Sequence, residues 1–315
     1  MKKILWNIVS ALLLVAIFYF LGREFWHNWN QIRSYEFHFN LPVLGMASLV
    51  YAIAFGVLSF GWYLILRYLN HGFSFGDALL FFCMTQPAKY IPGKIWLPVA
   101  RIKCCKSRGV PGSITLLSTG IEGVMEIFAG AYVSVIALLQ TDFFGRSSVI
   151  GTILISVIGL GVLIPPVFYF FINLYLSIVK LPHIEKHQRV SFWKLLLLQI
   201  IFITGVLGLG ISQFLFLQSF APVALSQAPF LISVGIFSYI ASVLAFFAPG
   251  GLGVREGIWY VALKSVGTAS VALIYAFSSR LWTIVVEALL LFISLPLFLL
   301  KQRRARATNA PHRPS

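Results

Sequence analysis

The chain has 315 residues, of which 59% are hydrophobic and only 10% are charged, and its mean hydropathy is +0.90. An ordinary soluble domain carries about 25% charged residues, so this composition excludes a soluble globular protein and indicates a polytopic membrane protein. The net charge of +15 does not point to nucleic acid. The basic residues lie between apolar runs, a distribution typical of the loops that orient membrane helices.

The first apolar segment covers residues 4–22 and follows a basic pair at positions 2 and 3. No small-residue cleavage site follows this segment, so we interpret it as a retained signal-anchor helix. A spanning helix needs about 20 mostly apolar residues. By this criterion the sequence predicts five further full spans, at 42–69, 112–140, 148–176, 194–219 and 270–300.

Two other apolar segments are interrupted near the middle by proline and glycine. We name residues 77–98 the first interrupted segment and residues 229–265 the second interrupted segment. The interrupting residues are Pro92 and Gly93 in the first, and Pro249, Gly250, Gly251 and Gly253 in the second.

The basic residues predict how these segments are oriented. Lysines and arginines cluster at 101–108, at 180–194 and after residue 300, and such loops favour the cytoplasm. Both termini are then cytoplasmic in a multi-pass protein of the cell inner membrane. Each interrupted segment must return to the face from which it starts. We therefore predict six full spans plus two oppositely oriented re-entrant helical hairpins. Eight plain crossings are the alternative.

The eight hydrophobic segments predict an all-α membrane protein with one transmembrane domain over 1–300 and a disordered basic cytoplasmic tail over 301–315. The halves 42–140 and 194–300 have opposite orientations, as in an inverted repeat. Paired segments broken by glycine and proline are a sequence pointer to the midplane binding site of a transporter.

Several acidic and basic residues fall at membrane depth, where a central charge costs about 2.5–3.5 kcal/mol. Glu122 and Glu126 lie one turn apart on one helix face, so we expect them to face the interior. There they could pair with basic residues, bind a cation or carry protons. Arg280 and Glu287 are two turns apart and also share a face. They could form interior ion pairs, or Arg280 could contact a lipid phosphate.

Three basic residues lie on either side of the break in the first interrupted segment or just after the segment, namely Lys89, Lys94 and Arg101. They could extend to the lipid headgroups or face the interior. Arg255 and Glu256 follow the glycines of the second interrupted segment, at a predicted helix start.

A helix N-terminus favours an anion, so an anionic group could bind at Arg255, although Glu256 is also ordinary first-turn chemistry. We expect Arg255 to contact one of three interior acids, Glu122, Glu126 or Glu287.

The sequence contains no pattern that indicates a cofactor, a metal site or a catalytic residue. The six histidines lack ligand spacing, and no nucleophile elbow, phosphate-binding loop or dinucleotide fingerprint is present. Cysteines 83, 104 and 105 are expected to be free thiols.

The charged motifs resemble those of the lysylphosphatidylglycerol synthase transmembrane-region family, also described as flippase-like integral membrane proteins. Residues 249–256 (PGGLGVRE) resemble its most specific motif, and 91–96 (IPGKIW) followed by Arg101 resemble its early Pro-Gly element. Residues 279–287 (SRLWTIVVE) resemble its Arg…Glu helix. The family tends to have an arginine where this chain has Gly123.

The resemblance covers about residues 5–300 and implies translocation of a polar or glycosylated lipid between leaflets, with membrane lipids as partners. Bifunctional members carry an aminoacyl-transferase domain after this region. This sequence has only the basic tail there, so no synthase activity is expected.

On the flippase hypothesis, Arg255 and Arg280 hold a headgroup phosphate together with Lys89 or Lys94. The interior acids, Glu122, Glu126 and Glu287, balance charge or carry protons.

Two alternatives belong to other classes of protein. One is a membrane enzyme on lipid phosphates or lipid-linked sugars, with Glu122 and Glu126 as Mg²⁺ ligands. The other is an accessory subunit of a glycosyltransferase or cell-envelope biosynthesis complex.

Overall fold

The computed structural model describes most of the chain between residues 39 and 308. The described residues are 19, 22–23, 26, 29–33, 39–91, 95–139, 156–178, 184, 189–245, 248 and 251–308. They form helices and connecting loops, and no strand occurs in these ranges. The all-α prediction is therefore confirmed for this part of the chain.

Several predictions fall on positions outside the described residues. They concern most of segment 4–22, the start of segment 148–176, the end of the tail, and the residues Pro92, Gly93, Lys94, Pro249 and Gly250.

The helices follow one another through short loops. In chain order they are α1 (Trp29–Arg33), α2 (Leu41–Tyr68), α3 (Phe75–Thr85), α4 (Trp96–Lys106), α5 (Gly112–Leu139), α6 (Ser156–Val162), α7 (Pro165–Ile178), α8 (Phe192–Gln218), α9 (Ala228–Leu244), α10 (Val254–Val266) and α11 (Ala269–Thr308). Short 3-10 helices at Gln86–Tyr90 and Leu225–Gln227 precede α4 and α9.

Five helical stretches of the described residues are long and apolar enough to cross a membrane. They are Leu41–Tyr68, Gly112–Val135, Phe192–Gln218, Leu225–Leu244 and Ala269–Lys301. The protein is therefore a multi-pass membrane protein. The stretch that ends at Leu244 is the first half of the second interrupted segment, which the sequence did not indicate as a span of its own.

The predicted span 148–176 is bent rather than continuous in its described part. Helices α6 and α7 meet at an angle of 71°. Helix α7 begins with Pro165 and Pro166. A proline ring has no N–H and collides with the preceding turn, so the paired prolines explain the bend. The bend was not predicted, but counting the bent pair as one span agrees with the predicted segment and gives up to six spans in the described ranges.

Both interrupted segments contain short helices. Helices α3 and α4 have 11 residues each, which is about 16 Å at 1.5 Å per residue. Helix α10 has 13 residues, or about 20 Å. None of the three matches the ~30 Å apolar core of a bilayer.

The turn of the second interrupted segment requires glycine at two positions. Gly251 and Gly253 have φ values of +70° and +82°, where glycine alone is unstrained. A Cβ at Gly251 would also lie 2.9 Å from the Cα of Ser242. Helix α10 then folds back along α9. The two helices pack closely, since a Cβ at Gly235 of α9 would lie only 3.2 Å from the ring of Trp259 of α10.

Helix α9 packs into close contact with two neighbours through glycines on their surfaces. A Cβ at Gly210 of α8 would lie 2.8 Å from Cγ1 of Ile236, and a Cβ at Gly130 of α5 would overlap Ile240. The side chains of α9 therefore occupy notches on both α5 and α8, and the three helices form one closely packed wall.

Helix α11 is held against this wall by aromatic side chains. Trp282 stacks on Phe216 of α8 with ring centroids 4.7 Å apart, and Tyr275 packs edge-on against Trp259 of α10 at 4.5 Å. The Tyr275 hydroxyl also donates to the backbone carbonyl of Gln213 at 2.9 Å. These contacts set the rotation of α11 about its axis and thereby fix which of its faces is buried.

An ion-pair cluster joins the outer ends of three elements. The carboxylate of Asp77 on α3 accepts two hydrogen bonds from Arg108, at 3.0 and 3.1 Å, and lies 2.8 Å from the ammonium of Lys301 on α11. Helix α11 continues to Thr308. The tail predicted to be disordered from residue 301 is therefore helical over its first eight residues.

Candidate functional site

A cavity of about 340 Å³ lies in the centre of the helices. It is bounded by both interrupted segments and by α5, α8, α9 and α11. Its charged and phenolic lining residues are Lys89, Glu122, Glu126, Arg255, Arg280, Tyr51, Tyr90 and Tyr239. Five of the residues predicted from the sequence thus line one cavity, and three more reach its wall as ion-pair partners.

Arg101 joins α4 to α5 through Glu122. The Arg101 side chain is fully buried, and its two terminal nitrogens donate to the two carboxylate oxygens of Glu122, one of them at 3.0 Å. The guanidinium also lies 4.6 and 4.7 Å from the ring centroids of Trp62 and Phe82, where cation–π attraction stabilises it. The alternative in which Arg101 extends to the headgroups is therefore wrong.

Lys89 links the first interrupted segment to α11. Its ammonium lies 2.5 Å from Oε1 of Glu287, and the hydroxyl of Tyr51 donates to the same oxygen at 2.5 Å. Glu287 is only 2% exposed, so this contact compensates a buried carboxylate. Lys89 thus points to the interior and not to the membrane surface.

Glu256 fastens the second interrupted segment in two ways. One carboxylate oxygen accepts a hydrogen bond from the backbone N–H of Gly253 at 2.8 Å, and the other accepts from Arg280 at 2.8 Å. The first bond satisfies a free donor in the first turn of α10, and the second is an ion pair with α11. The guanidinium carbon of Arg280 also lies 5.8 Å from the ring centroid of Tyr90.

Arg255 has a different environment from the other cations. The expected contact with Glu122, Glu126 or Glu287 is absent, and no carboxylate in the described ranges lies within ion-pair distance of its guanidinium. Its Nε is buried without a hydrogen-bond acceptor. The expectation is wrong: Glu122 and Glu287 pair with Arg101 and Lys89 instead, and Glu126 accepts a hydrogen bond from Tyr239.

Glu126 lines the same cavity with one hydrogen-bond partner among the described residues. The hydroxyl of Tyr239 on α9 donates to its Oε2 at 2.7 Å. No basic side chain of the described ranges forms an ion pair with it. A Cβ at the neighbouring Gly123 would have no atom within 4 Å, so the cavity is open beside this acid.

The geometry does not fit the alternative in which Glu122 and Glu126 bind Mg²⁺ together. Magnesium is held by carboxylate and water oxygens in an octahedral arrangement, but both oxygens of Glu122 already accept hydrogen bonds from Arg101. Only Glu126 retains free acceptor positions toward the cavity.

Three tyrosines that complete the site were not predicted from the sequence. Tyr51, Tyr90 and Tyr239 each contact one of its charged residues. A buried tyrosine usually finds a partner for its hydroxyl, so tyrosines within apolar runs that also carry charges are the signal that could have identified them.

Comparison with known proteins agrees with this architecture. No match to the chain is found among curated proteins. The model of the lysylphosphatidylglycerol synthase TM region matches residues 7–290, a range that contains every residue of the cavity described above. That match associates the chain with membrane lipids. The chain belongs to the family of the lysylphosphatidylglycerol synthase TM region.

Proposed function

We propose that this protein moves a phosphate-bearing polar lipid between the two leaflets of the membrane. The observation that carries the proposal is Arg255, a cation on the wall of an interior cavity with no carboxylate partner in the described ranges and with a buried, unpaired Nε. Arg255 is partly buried and its Nε fully so. A charge shielded from water without a partner is costly, so a ligand that supplies an anion there gains affinity.

A phosphate fits the chemistry of this position. Arginine presents its N–H donors in a planar fork that matches phosphate oxygens. The ammonium of Lys89 lines the same cavity and adds a second positive charge, although it is shared with Glu287. The lipid tails would remain in the bilayer while the headgroup occupies the cavity.

The shapes of the interrupted segments support movement across the membrane. Helices α3 and α10 are too short to cross it, whereas α9, in the second segment, is long enough. We propose that the two segments are re-entrant hairpins that start from opposite faces, with α9 as the long arm of the second. This topology has both termini in the cytoplasm and suits the cell inner membrane. Opposed broken segments around a midplane site are the architecture on which alternating access is built.

The test is leaflet exchange in reconstituted vesicles. Purified protein is inserted into vesicles with tail-labelled fluorescent phosphatidylglycerol, and a membrane-impermeant quencher measures how fast the inner-leaflet label becomes accessible. We expect wild-type protein to accelerate exchange and Arg255→Gln to reduce the protein-dependent rate about tenfold or more, because one charge-assisted contact is worth about 1.5–3 kcal/mol.

Arg67→Gln is the matched control, since it also removes one guanidinium but from an exposed position at the end of α2. Equal rates for wild type and Arg255→Gln would refute the role of Arg255. Mass spectrometry of the recovered lipid should show unchanged molecules, whereas a new product would indicate a membrane enzyme instead.

A further inference from the structure

The charges around the cavity do not all pair. Three cations and three carboxylates form ion pairs, namely Lys89 with Glu287, Arg101 with Glu122 and Arg280 with Glu256. Among the described residues that line the cavity, Arg255 and Glu126 are left without an oppositely charged partner. The proposed function uses Arg255 but gives no role to Glu126.

We propose that Glu126 is a specificity-determining residue that selects lipids with a hydrogen-bond donor beyond the phosphate. The inference rests on the proposed function. The donor is an O–H or an N–H of the headgroup. A headgroup that ends in a trimethylammonium group has neither, and the site discriminates against it.

The hydrogen bonding of Glu126 supports this role. A carboxylate accepts about four hydrogen bonds, and the described residues supply one, from Tyr239 to Oε2. Buried polar groups in proteins are almost always paired. The remaining acceptor positions of Glu126 border the cavity, so a bound headgroup is the partner that can fill them.

The space beside Glu126 is large enough to receive part of a headgroup. Gly123 precedes Glu126 by three residues on α5, so both lie on the same helix face, and both line the cavity. No atom lies within 4 Å of the position that a Cβ of Gly123 would occupy. The neighbouring Glu122 cannot substitute for Glu126, because both of its oxygens are bonded to Arg101.

A binding series tests the inference without requiring transport. The full-length chain in detergent is titrated by calorimetry with short-chain phosphatidylethanolamine, its N-methyl and N,N-dimethyl derivatives, and phosphatidylcholine. Short-chain phosphatidylglycerol is a separate probe. The ethanolamine series reports an N–H donor and phosphatidylglycerol reports an O–H donor. We expect similar affinity while one N–H remains and a drop of about tenfold at phosphatidylcholine.

Glu126→Gln is the decisive variant. Tyr239 can still donate to the amide oxygen, but the amide NH₂ then faces the cavity as a donor and opposes the donor of the headgroup. We expect the preference over phosphatidylcholine to fall from about tenfold to about one. Tyr132→Phe is the control on the same helix, since it removes only a hydroxyl 3.2 Å from that of Ser156 outside the cavity, and it should keep the preference.

Three results would overturn the inference. Affinity could fall evenly with each added methyl group in both wild type and Glu126→Gln, which would mean that the site discriminates by the size of the headgroup and not by its hydrogen-bond donors. The variant could weaken all probes equally, which would indicate a structural role. Wild type could bind all five probes alike, or none of them.

The same proteins in the vesicle assay separate this inference from the proposed function. Selective binding without leaflet exchange would refute transport and leave the selectivity of Glu126 intact. Exchange at equal rates for phosphatidylethanolamine and phosphatidylcholine, with equal affinities, would leave transport intact and refute the selectivity.

Discussion

The two interrupted segments are fastened to α11 with opposite charges. The first contributes a cation, Lys89, to Glu287 of α11, and the second contributes an acid, Glu256, to Arg280 of the same helix. Helix α11 therefore carries one charge of each sign on one face, two turns apart. One helix can thus distinguish two similarly interrupted segments, because each segment carries the charge that complements only one of the two charges on α11.

The two ion pairs also differ in how far apart in the sequence their partners lie. Glu256 bonds to its own helix start as well as to α11, so part of its stabilisation does not depend on another element. Lys89 is 30% exposed and contacts Glu287 across a sequence separation of 198 residues. The first segment therefore relies more on distant contacts, among them that of Arg101 with α5.

The largest effect is expected for Glu122→Gln. The change leaves the fully buried guanidinium of Arg101 without a compensating charge, and breaking a buried ion pair in this way costs about 3–5 kcal/mol. Unfolding in mixed micelles with increasing sodium dodecyl sulfate measures the free energy of unfolding. A loss below about 1 kcal/mol would mean that the rings of Trp62 and Phe82 alone hold Arg101.

Glu256→Gln should be the next most damaging. It replaces a carboxylate with two charge-assisted hydrogen bonds by a neutral amide, and such bonds are worth about 1.5–3 kcal/mol. We expect a loss of about 2 kcal/mol in the same assay. The double variant with Arg280→Gln should lose less than the sum of the two single changes. Strict additivity would show that Glu256 and Arg280 do not stabilise each other.

Lys89→Gln should cost about 1 kcal/mol, since Tyr51 still donates to Glu287 and the glutamine amide can donate to the same carboxylate. Limited proteolysis and unfolding should therefore change less than for Glu256→Gln. If Lys89→Gln proves the more damaging of the two, the comparison between local and distant attachment is wrong.

Asp77→Asn should have the smallest effect, about 0.5–1 kcal/mol, because its partners Arg108 and Lys301 are partly exposed. The effect should depend on pH. Burial by itself raises the pKa of Asp77, but hydrogen bonds from Arg108, Lys301 and Ser74 bring that pKa below its ordinary value.

The stabilising contribution of the Asp77 carboxylate is then complete above the unfolded-state pKa of about 3.9 and declines as the pH falls through the lower folded-state value. Thermal unfolding of wild type and Asp77→Asn should differ equally at pH 7 and pH 5. The difference should shrink below about pH 4. A difference that grows on acidification would contradict this account.

Much of the fold follows from apolar length, because a bilayer forces backbone hydrogen bonds to be made within helices. The described spans α2, α5, α8 and α11 were predicted within a few residues at most ends. The bend at Pro165 was missed although the paired prolines were visible. The continuation of α11 to Thr308 was not predicted, because the run of basic residues after 300 was interpreted as the start of a disordered tail.

The sequence predicted the charged residues of the site but not their pairs. The free-energy cost of a charge at membrane depth depends only on that residue and its position in an apolar segment. Glu122 and Arg255 could therefore be predicted as site residues without a structure. Which acid meets which base depends on the rotation and neighbours of each helix. For Arg101 the sequence left both the headgroups and the interior open, and only the structure shows that it is fully buried between aromatic rings.

The close packing of α9 against Gly130 of α5 and Gly210 of α8 restricts how the cavity can open. Side chains of α9 fill hollows on α5 and α8 where even a methyl group does not fit, so these three helices have no room to slide past one another. We therefore expect any opening of the cavity to occur on the opposite side, where the ion pairs of Lys89 and Arg280 join the interrupted segments to α11. If the protein moves lipid as proposed, crosslinks between α9 and α5 should leave the leaflet-exchange rate unchanged, whereas crosslinks between the first interrupted segment and α11 should abolish it.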